Sequence, residues 1–380
     1  MTEIPLVDVK AGYLRQKDAI DAAIRDVVDN VRFINGPEVA RFEQDFAAFC
    51  GTRRAIGCGS GTAALHLALA ALGIGPGDQV AVPAHTFIAS AEPISWLGAT
   101  PRFVDVDPES GCLDPAALAA VIGEVKAVIA VHLYGRPADM PAIMAIADAA
   151  GVPVIEDAAQ AHGAEMTTPD GRTVRAGAYG RVGCFSFFPG KNLGAFGDAG
   201  AVTTDDEALA DRIAMLRDHG RTSKYEHLVS GYAHRLDTIQ AAVLGVKLRA
   251  LADNNGLRQE LARAYDQELT GVGDLALPAR GDGRTGVFHL YVVRTARRDD
   301  LLRHLHAAGI RAGIHYPVPL HRQPAYAALG LDPADFPAAD AWARECLSLP
   351  IYPELDPALV AVVAKSIREF FDSAVDDSAD

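Results

Sequence analysis

A lysine stands between an apolar run and a glycine-rich one in CFSFFPGKNLGAFGDAG, residues 184–200. Phe185, Phe187 and Phe188 precede Lys191, and Gly194, Gly197 and Gly200 follow it. Apolar neighbours desolvate an amine and favour its neutral, nucleophilic form. Glycines let the backbone approach a ligand closely. Most lysines are solvated surface groups, but these flanks are the wrong kind for a surface. The chemistry they suggest is a Schiff base between the Lys191 amine and a cofactor aldehyde.

Two other stretches could serve that chemistry. In VPVIEDAAQAHGA, residues 152–164, Asp157 ends an apolar strand pattern and Gln160 follows three residues later. Asp157 either caps the next segment or sits in the crevice as a buried carboxylate. In the second case it would partner a protonated ring nitrogen. Pyridoxal phosphate needs such a partner, because a cationic pyridine is a better electron sink. In GCGSGTAALHLAL, residues 57–69, Gly59, Ser60, Gly61 and Thr62 open a helical pattern. Their amides would face an anion at a helix N-terminus. The alternative is a plain Ser/Thr cap on a core helix. Neither the Walker nor the Rossmann spacing is present.

The elements that must hold these residues alternate. Strands are expected within 78–84, 100–107, 125–135 and 152–158. Helices are expected at 86–98, 114–122 and 140–151, with an amphipathic one at 17–34. Strand–helix alternation with short connections predicts an α/β fold, a mostly parallel central sheet flanked by helices. Ligands of such sheets sit at the carboxyl ends of the strands. Residues 236–269 read as one long or broken helix, followed by a strand at 286–295 and a helix at 297–309. The division expected is a large domain over 1–248 and a smaller α+β domain over 249–380. The acidic tail DSAVDDSAD is expected to fray.

Composition narrows the function. The chain has 380 residues, about half of them apolar, so a sizeable core is available. A net charge of −14 opposes nonspecific binding to nucleic acid or anionic membranes. It leaves room for one anionic ligand held by local amides. Five cysteines, an odd number without metal-knuckle spacing, suggest a reducing cytoplasm and no metal site. The N-terminal residues lack a secretory pattern, and no apolar run is long enough to span a bilayer.

Taken in order on one chain, these signals resemble the DegT-type sugar-nucleotide aminotransferases, a family of fold-type I pyridoxal-phosphate enzymes. The resemblance runs from FINGPEVARFEQDFAAFCG through GSGTAALHLAL, PAHTFIASA, HLYGRPADM, IEDAAQAHGA, LRDHGR and GYAHRLDTIQAAVL to GIHYPVPLH. It implies that Lys191 carries the Schiff base and moves the proton, and that Asp157 partners the pyridine nitrogen. It implies Gln160 at the ring hydroxyl, Phe87 stacked on the ring, and Ser186, Ser60, Gly61 and Thr62 around the phosphate. His315, Tyr316 and His321 fall in a segment that often reaches the sugar-nucleotide pocket. Tyr134 and His132 are expected to be supporting residues. The implied reaction moves an amino group from L-glutamate, through the pyridoxamine 5′-phosphate form, to a nucleotide-linked keto-sugar in a homodimer. A dTDP-4-keto-6-deoxyhexose aminated at C4 is the first expectation, with C3 amination next.

One departure stands out. The family usually has Asn where this chain has Ala233, and that Asn reaches the other subunit's cofactor phosphate. Either His234 or Arg235 substitutes as donor, or cofactor affinity is lower. Three rivals remain. A sugar dehydratase usually carries histidine at the position of Lys191. A non-catalytic regulator binding pyridoxal phosphate would tolerate loss of Lys191. An enzyme of small amino acids would clamp a carboxylate with Arg294, Arg311 or Arg322.

Overall fold

The computed structural model describes residues 3–280 and 283–376. A seven-stranded sheet runs through its middle. Its first strands are β1 (Arg54–Cys58), β2 (Gln79–Pro83), β3 (Thr100–Val104), β4 (Ala127–Val131) and β5 (Val154–Asp157). A hairpin, β6 (Glu165–Thr167) and β7 (Thr173–Arg175), interrupts the series before β8 (Val182–Ser186) and β9 (Gly200–Thr204). Across the sheet the order is β1-β9-β8-β5-β4-β2-β3. β9 is antiparallel to both neighbours, and the pairs from β8 to β3 are parallel. Helices cover both faces, so the strands carry buried apolar residues throughout, as in Ala127–Val131. The α/β reading holds, with an antiparallel β9 that strand–helix alternation did not reveal.

Several elements are shorter than their sequence patterns. The pattern at 17–34 gives a single helix that ends early, Lys17–Asp29, with a separate short helix, Val9–Arg15, before it. Gly36-Pro37 then begins a third, Pro37–Cys50, because proline suits a first helical turn. Within 86–98 only a 3₁₀ turn, Ile88–Ser90, and the short helix Glu92–Trp96 form. Thr86 and Phe87 stay outside the helix, which leaves both at the strand end where the site lies. The long pattern at 236–269 breaks at Arg249 and Ala250, giving Thr238–Leu248 and Leu251–Leu269.

Two apolar cores result. The larger surrounds the sheet and also takes Leu320, Tyr326, Phe336, Trp342 and Cys346 from the C-terminal part. The smaller gathers Leu261, Tyr265, Leu301, Leu347 and Ile367. Its strands, after the two-residue β10 (Arg284–Thr285), are β11 (Tyr291–Arg294) and β12 (Cys346–Leu349), an antiparallel pair. Ile4 joins this second core, and its amide donates to Gly309 O at 3.0 Å. The N-terminal segment is thereby tied to the C-terminal part of the chain. The last helix runs to Asp376, and the end of the acidic tail lies outside the described residues.

Candidate active site

Three parallel strands end together: Val131 of β4, Asp157 of β5 and Ser186 of β8 all line one cavity of about 410 Å³. Ser60, Gly61, Thr62, Phe87, Gln160, Lys191, His315 and Tyr316 line it too. Residues separated by more than 250 positions thus meet where open α/β sheets bind ligands.

The loop after β8 aims the lysine. Lys191 N–H donates to Phe188 O at 2.8 Å, and Ala195 N–H to Phe187 O at 2.8 Å. A Cβ on Gly194 would lie 2.3 Å from Pro189 O, so only glycine closes this loop. Burial lowers the Lys191 amine to about pH 8, against a weaker upward pull from Asp157. Near neutrality an appreciable fraction of the amine is therefore unprotonated.

Asp157 lines the same cavity. Burial raises its pKa, while Ser90, the Ala159 amide, Lys191 and His132 pull it down. Ser90 Oγ donates to Oδ2 at 2.7 Å, and Ala159 N–H to Oδ1 at 3.2 Å. Thr86 Oγ1 lies 3.0 Å from Ser90 Oγ. Two donors do not saturate a carboxylate, which can accept about four bonds. Gln160 is held in place: Tyr134 N–H donates to its Oε1 at 2.6 Å, and its Nε2 to Tyr316 Oη at 3.2 Å.

The third corner is the start of the helix Gly61–Ala71. Ser60 Oγ accepts from Ala63 N–H at 3.0 Å, so the capping role is real. Gly61 and Thr62 nonetheless line the cavity beside Ser186. A Cβ on Gly61 would lie 2.6 Å from Ser186 Cβ, so glycine is what lets helix and strand end close together. Phe87 is 51% exposed, with its ring centroid 5.5 Å from that of Tyr316. His315 Nδ1 lies 2.8 Å from Ser348 Oγ, and burial, then Lys191, lowers its ring to about 4.

Two nominated residues lie elsewhere. His321 stacks on Phe336 at 4.4 Å, with Nε2 3.2 Å from Asp340, and does not line the cavity. Its 3₁₀ turn, Leu320–Arg322, directs it into packing. Arg235 donates to Asp218 at 2.7 Å and is also absent from the cavity wall of its own chain. His234 Nε2 meets His66 Nδ1 at 3.2 Å instead. Arg294, Arg311 and Arg322 pair with Glu345, Glu3 and Asp340, and none lines this cavity. Tyr134 and His132 are supports: His132 Nε2 donates to Glu156 at 2.8 Å. Sequence reasoning missed Ser90, His289 and the N-terminal pair Leu6 and Val7, all on the cavity wall. Ser90 falls in the PAHTFIASA segment and His289 in the expected strand at 286–295, which forms only over Tyr291–Arg294; no spacing rule linked either to Asp157.

This donor set fits pyridoxal phosphate. A helix N-terminus with hydroxyls suits the phosphate, an unsaturated buried carboxylate suits a pyridinium, and a desolvated amine lies in the same cavity. Comparison with known proteins agrees. A family model described as "DegT/DnrJ/EryC1/StrS aminotransferase family" matches residues 15–368. The chain belongs to this family. It is a sugar-nucleotide aminotransferase, and pyridoxal phosphate is the family's cofactor. One relative is dTDP-3-amino-3,4,6-trideoxy-alpha-D-glucose transaminase of Streptomyces venezuelae, 46% identical over 97% of this chain and 96% of the relative. Another, from Saccharopolyspora erythraea, is named erythromycin biosynthesis sensory transduction protein EryC1. It is 48% identical over 93% of this chain and 95% of its own. Among solved structures, S. venezuelae DesV in complex with a ketimine intermediate is 45% identical, with a TM-score of 0.94. That match covers 98% of this chain and 99% of the other.

Proposed function

We propose that the cavity moves an amino group from L-glutamate to a dTDP-linked keto-6-deoxyhexose with its ketone at C3. The observation that carries the amino-transfer reading is the meeting of Lys191, Asp157, Gln160, Ser186 and the helix start at Gly61 in one cavity. The S. venezuelae relative is named for a 3-amino sugar, which moves the preference from C4 to C3. C4 amination stays as the alternative. Lys191 favours a transaminase over a dehydratase, and its lowered pKa suits Schiff-base formation.

When bound, pyridoxal phosphate supplies an aldehyde for the amine and a ring that accepts carbanion charge. The chain's residues do the rest. Lys191 Nζ, unprotonated in part near neutrality, carries a proton between carbon atoms of the reacting group. Asp157 would hold a proton on the cofactor's ring nitrogen, and that counter-charge would offset its own reluctance to ionise. Ser90 and the Ala159 amide hold the carboxylate's orientation. Ser60, Thr62, Ser186 and the amides at Gly61 and Thr62 bind the phosphate. Gln160 would bond the ring hydroxyl, and Phe87 would cover the ring. Tyr316 and His315 border the space left for substrate.

A second copy of the chain completes this reading. Phe87, Phe188, Trp96, Leu228 and Tyr225 are exposed apolar or aromatic residues, which a homodimer would cover. Arg235 or His234 of that copy is then the replacement for the usual Asn at Ala233. Light scattering on the purified protein should give twice the 40.1 kDa chain mass. We also keep the division into 1–248 and 249–380. Five unpaired, buried cysteines support a reducing cytoplasm. Among the described residues no helix is long and apolar enough to cross a membrane.

The test is to incubate the loaded protein with L-glutamate and dTDP-3-keto- or dTDP-4-keto-6-deoxyhexose, then locate the new C–N bond by NMR. Nitrogen at C3 supports the reading, nitrogen at C4 moves it to the alternative, and no amino-sugar overturns it.

A further inference from the structure

We propose that His289 is a substrate-binding residue whose Nε2–H donates a hydrogen bond to an oxygen acceptor of the substrate bound beside Lys191. The proposal rests on the amino-transfer reading of the cavity.

His289 lines that cavity, and its neighbours are anchored on every side. Val287 N–H donates to Gly135 O at 2.9 Å, and Leu290 N–H to Tyr134 O at 3.3 Å. Asn192, next to the lysine, donates to Val287 O at 3.0 Å, and Arg258 to Phe288 O at 3.1 Å. Between these anchors Phe288 takes φ +45°, the left-handed region that a bulky residue rarely enters. Such strain persists where the surroundings impose it, and it clusters at functional sites. Here it accompanies the presentation of a histidine to the cavity.

The burial of one ring nitrogen selects its tautomer. Nδ1 is buried and has no partner. A proton there would leave a buried N–H orphaned, which folded proteins almost never allow. The proton therefore belongs on Nε2, the nitrogen left open to the cavity. Burial, then Lys191, Arg258, His162 and His315, holds the ring's pKa well below the usual value, so it stays neutral. A neutral N–H donor on the same cavity wall as Lys191 favours an electron-rich oxygen. That oxygen is either the carboxylate of the amino donor or a carbonyl or hydroxyl of the keto-sugar.

The two half-reactions separate these sources. Wild type, His289→Phe and His289→Gln are each loaded with pyridoxal phosphate and mixed with varied L-glutamate. Each is then loaded with pyridoxamine phosphate and mixed with varied dTDP-3-keto-6-deoxyhexose. Phe keeps the ring volume without a donor, and a Gln amide can replace Nε2–H. His289→Phe should raise the half-saturating concentration of one substrate about tenfold to a hundredfold, with a smaller change in limiting rate. Cofactor affinity should stay within about threefold, and His289→Gln should recover most of the loss. An effect in the glutamate arm assigns the carboxylate, and one in the sugar arm assigns the sugar oxygen. Unchanged half-saturation in both arms overturns the proposal. So does equal loss of cofactor affinity in both variants, which makes His289 a packing residue. Calorimetric binding of glutarate and dTDP gives an independent reading that needs no turnover. If wild type binds the cofactor yet ignores glutamate, the amino-transfer reading fails. In that case weaker glutarate or dTDP binding by His289→Phe alone still supports the donor, and equal binding overturns it.

Discussion

Glu156 and Asp157 are adjacent on β5, both buried, and they face different surroundings. Glu156 accepts from His132 Nε2 at 2.8 Å and from the amides of Gly177, Tyr179 and Gly180 at 2.9, 2.7 and 2.7 Å. Four donors fill its capacity and leave nothing for a ligand. Asp157 has two donors, lies in the cavity and has a raised pKa. Strand alternation places one carboxylate to hold loops together and the other to meet a ligand. A buried acid with a full set of donors is structural, whereas one left short is poised for binding.

The largest break in this contrast should come from Asp157→Ala. Turnover should fall roughly a thousandfold or more, about 4 kcal/mol of transition-state stabilisation. The melting temperature of the cofactor-free protein should not fall, because burial already penalises this charge. Steady-state rates and thermal melts check both halves. Glu156→Ala should do the reverse. It orphans four buried donors and should cost about 3–4 kcal/mol of stability, read by denaturant unfolding. Cofactor contacts are untouched, so variant protein that stays folded should keep most of its turnover.

The contrast also sets what sequence could reveal. Lys191 and Asp157 were legible because each stands next to an apolar strand pattern, where a charge is conspicuous. Ser90 and His289 were not, since their roles depend on β2, β5 and the 287–290 segment meeting in space. His321 shares a His- and Tyr-rich segment with His315, yet a 3₁₀ turn sets it against Phe336 and off this cavity's wall. β9 escaped because Gly200–Thr204 is too short and too glycine- and threonine-rich to stand out beside the glycine loop before it. Nor could spacing show that Glu156, one residue before Asp157, is consumed by loop amides.

Lysine gives a smaller effect with a pH signature. The unfolded side chain titrates near 10.5 and the folded one at about 8. Between these values the unfolded chain holds more protons, so stability of the cofactor-free protein rises with pH. Below about pH 8 the full penalty is present. Lys191→Met should therefore stabilise the cofactor-free protein by about 1–3 kcal/mol at pH 7. The gain should vanish above the unfolded value, as unfolding curves at several pH values would show. The smallest effect should come from Ser90→Ala, which removes one donor to Asp157. Turnover should fall up to about tenfold, and Ser90→Thr should restore part of it. An unchanged Ser90→Ala rate would detach the hydroxyl from the function of Asp157.

The most direct measurement is the visible spectrum of the purified protein with pyridoxal phosphate, before and after L-glutamate, in wild type and Lys191→Ala. The account predicts a protein-bound cofactor band in wild type that glutamate converts to the pyridoxamine phosphate spectrum. It predicts no such lysine-dependent band in the variant. A wild-type band that glutamate leaves unchanged, or identical spectra from both proteins, would contradict the assignment of amino transfer to Lys191.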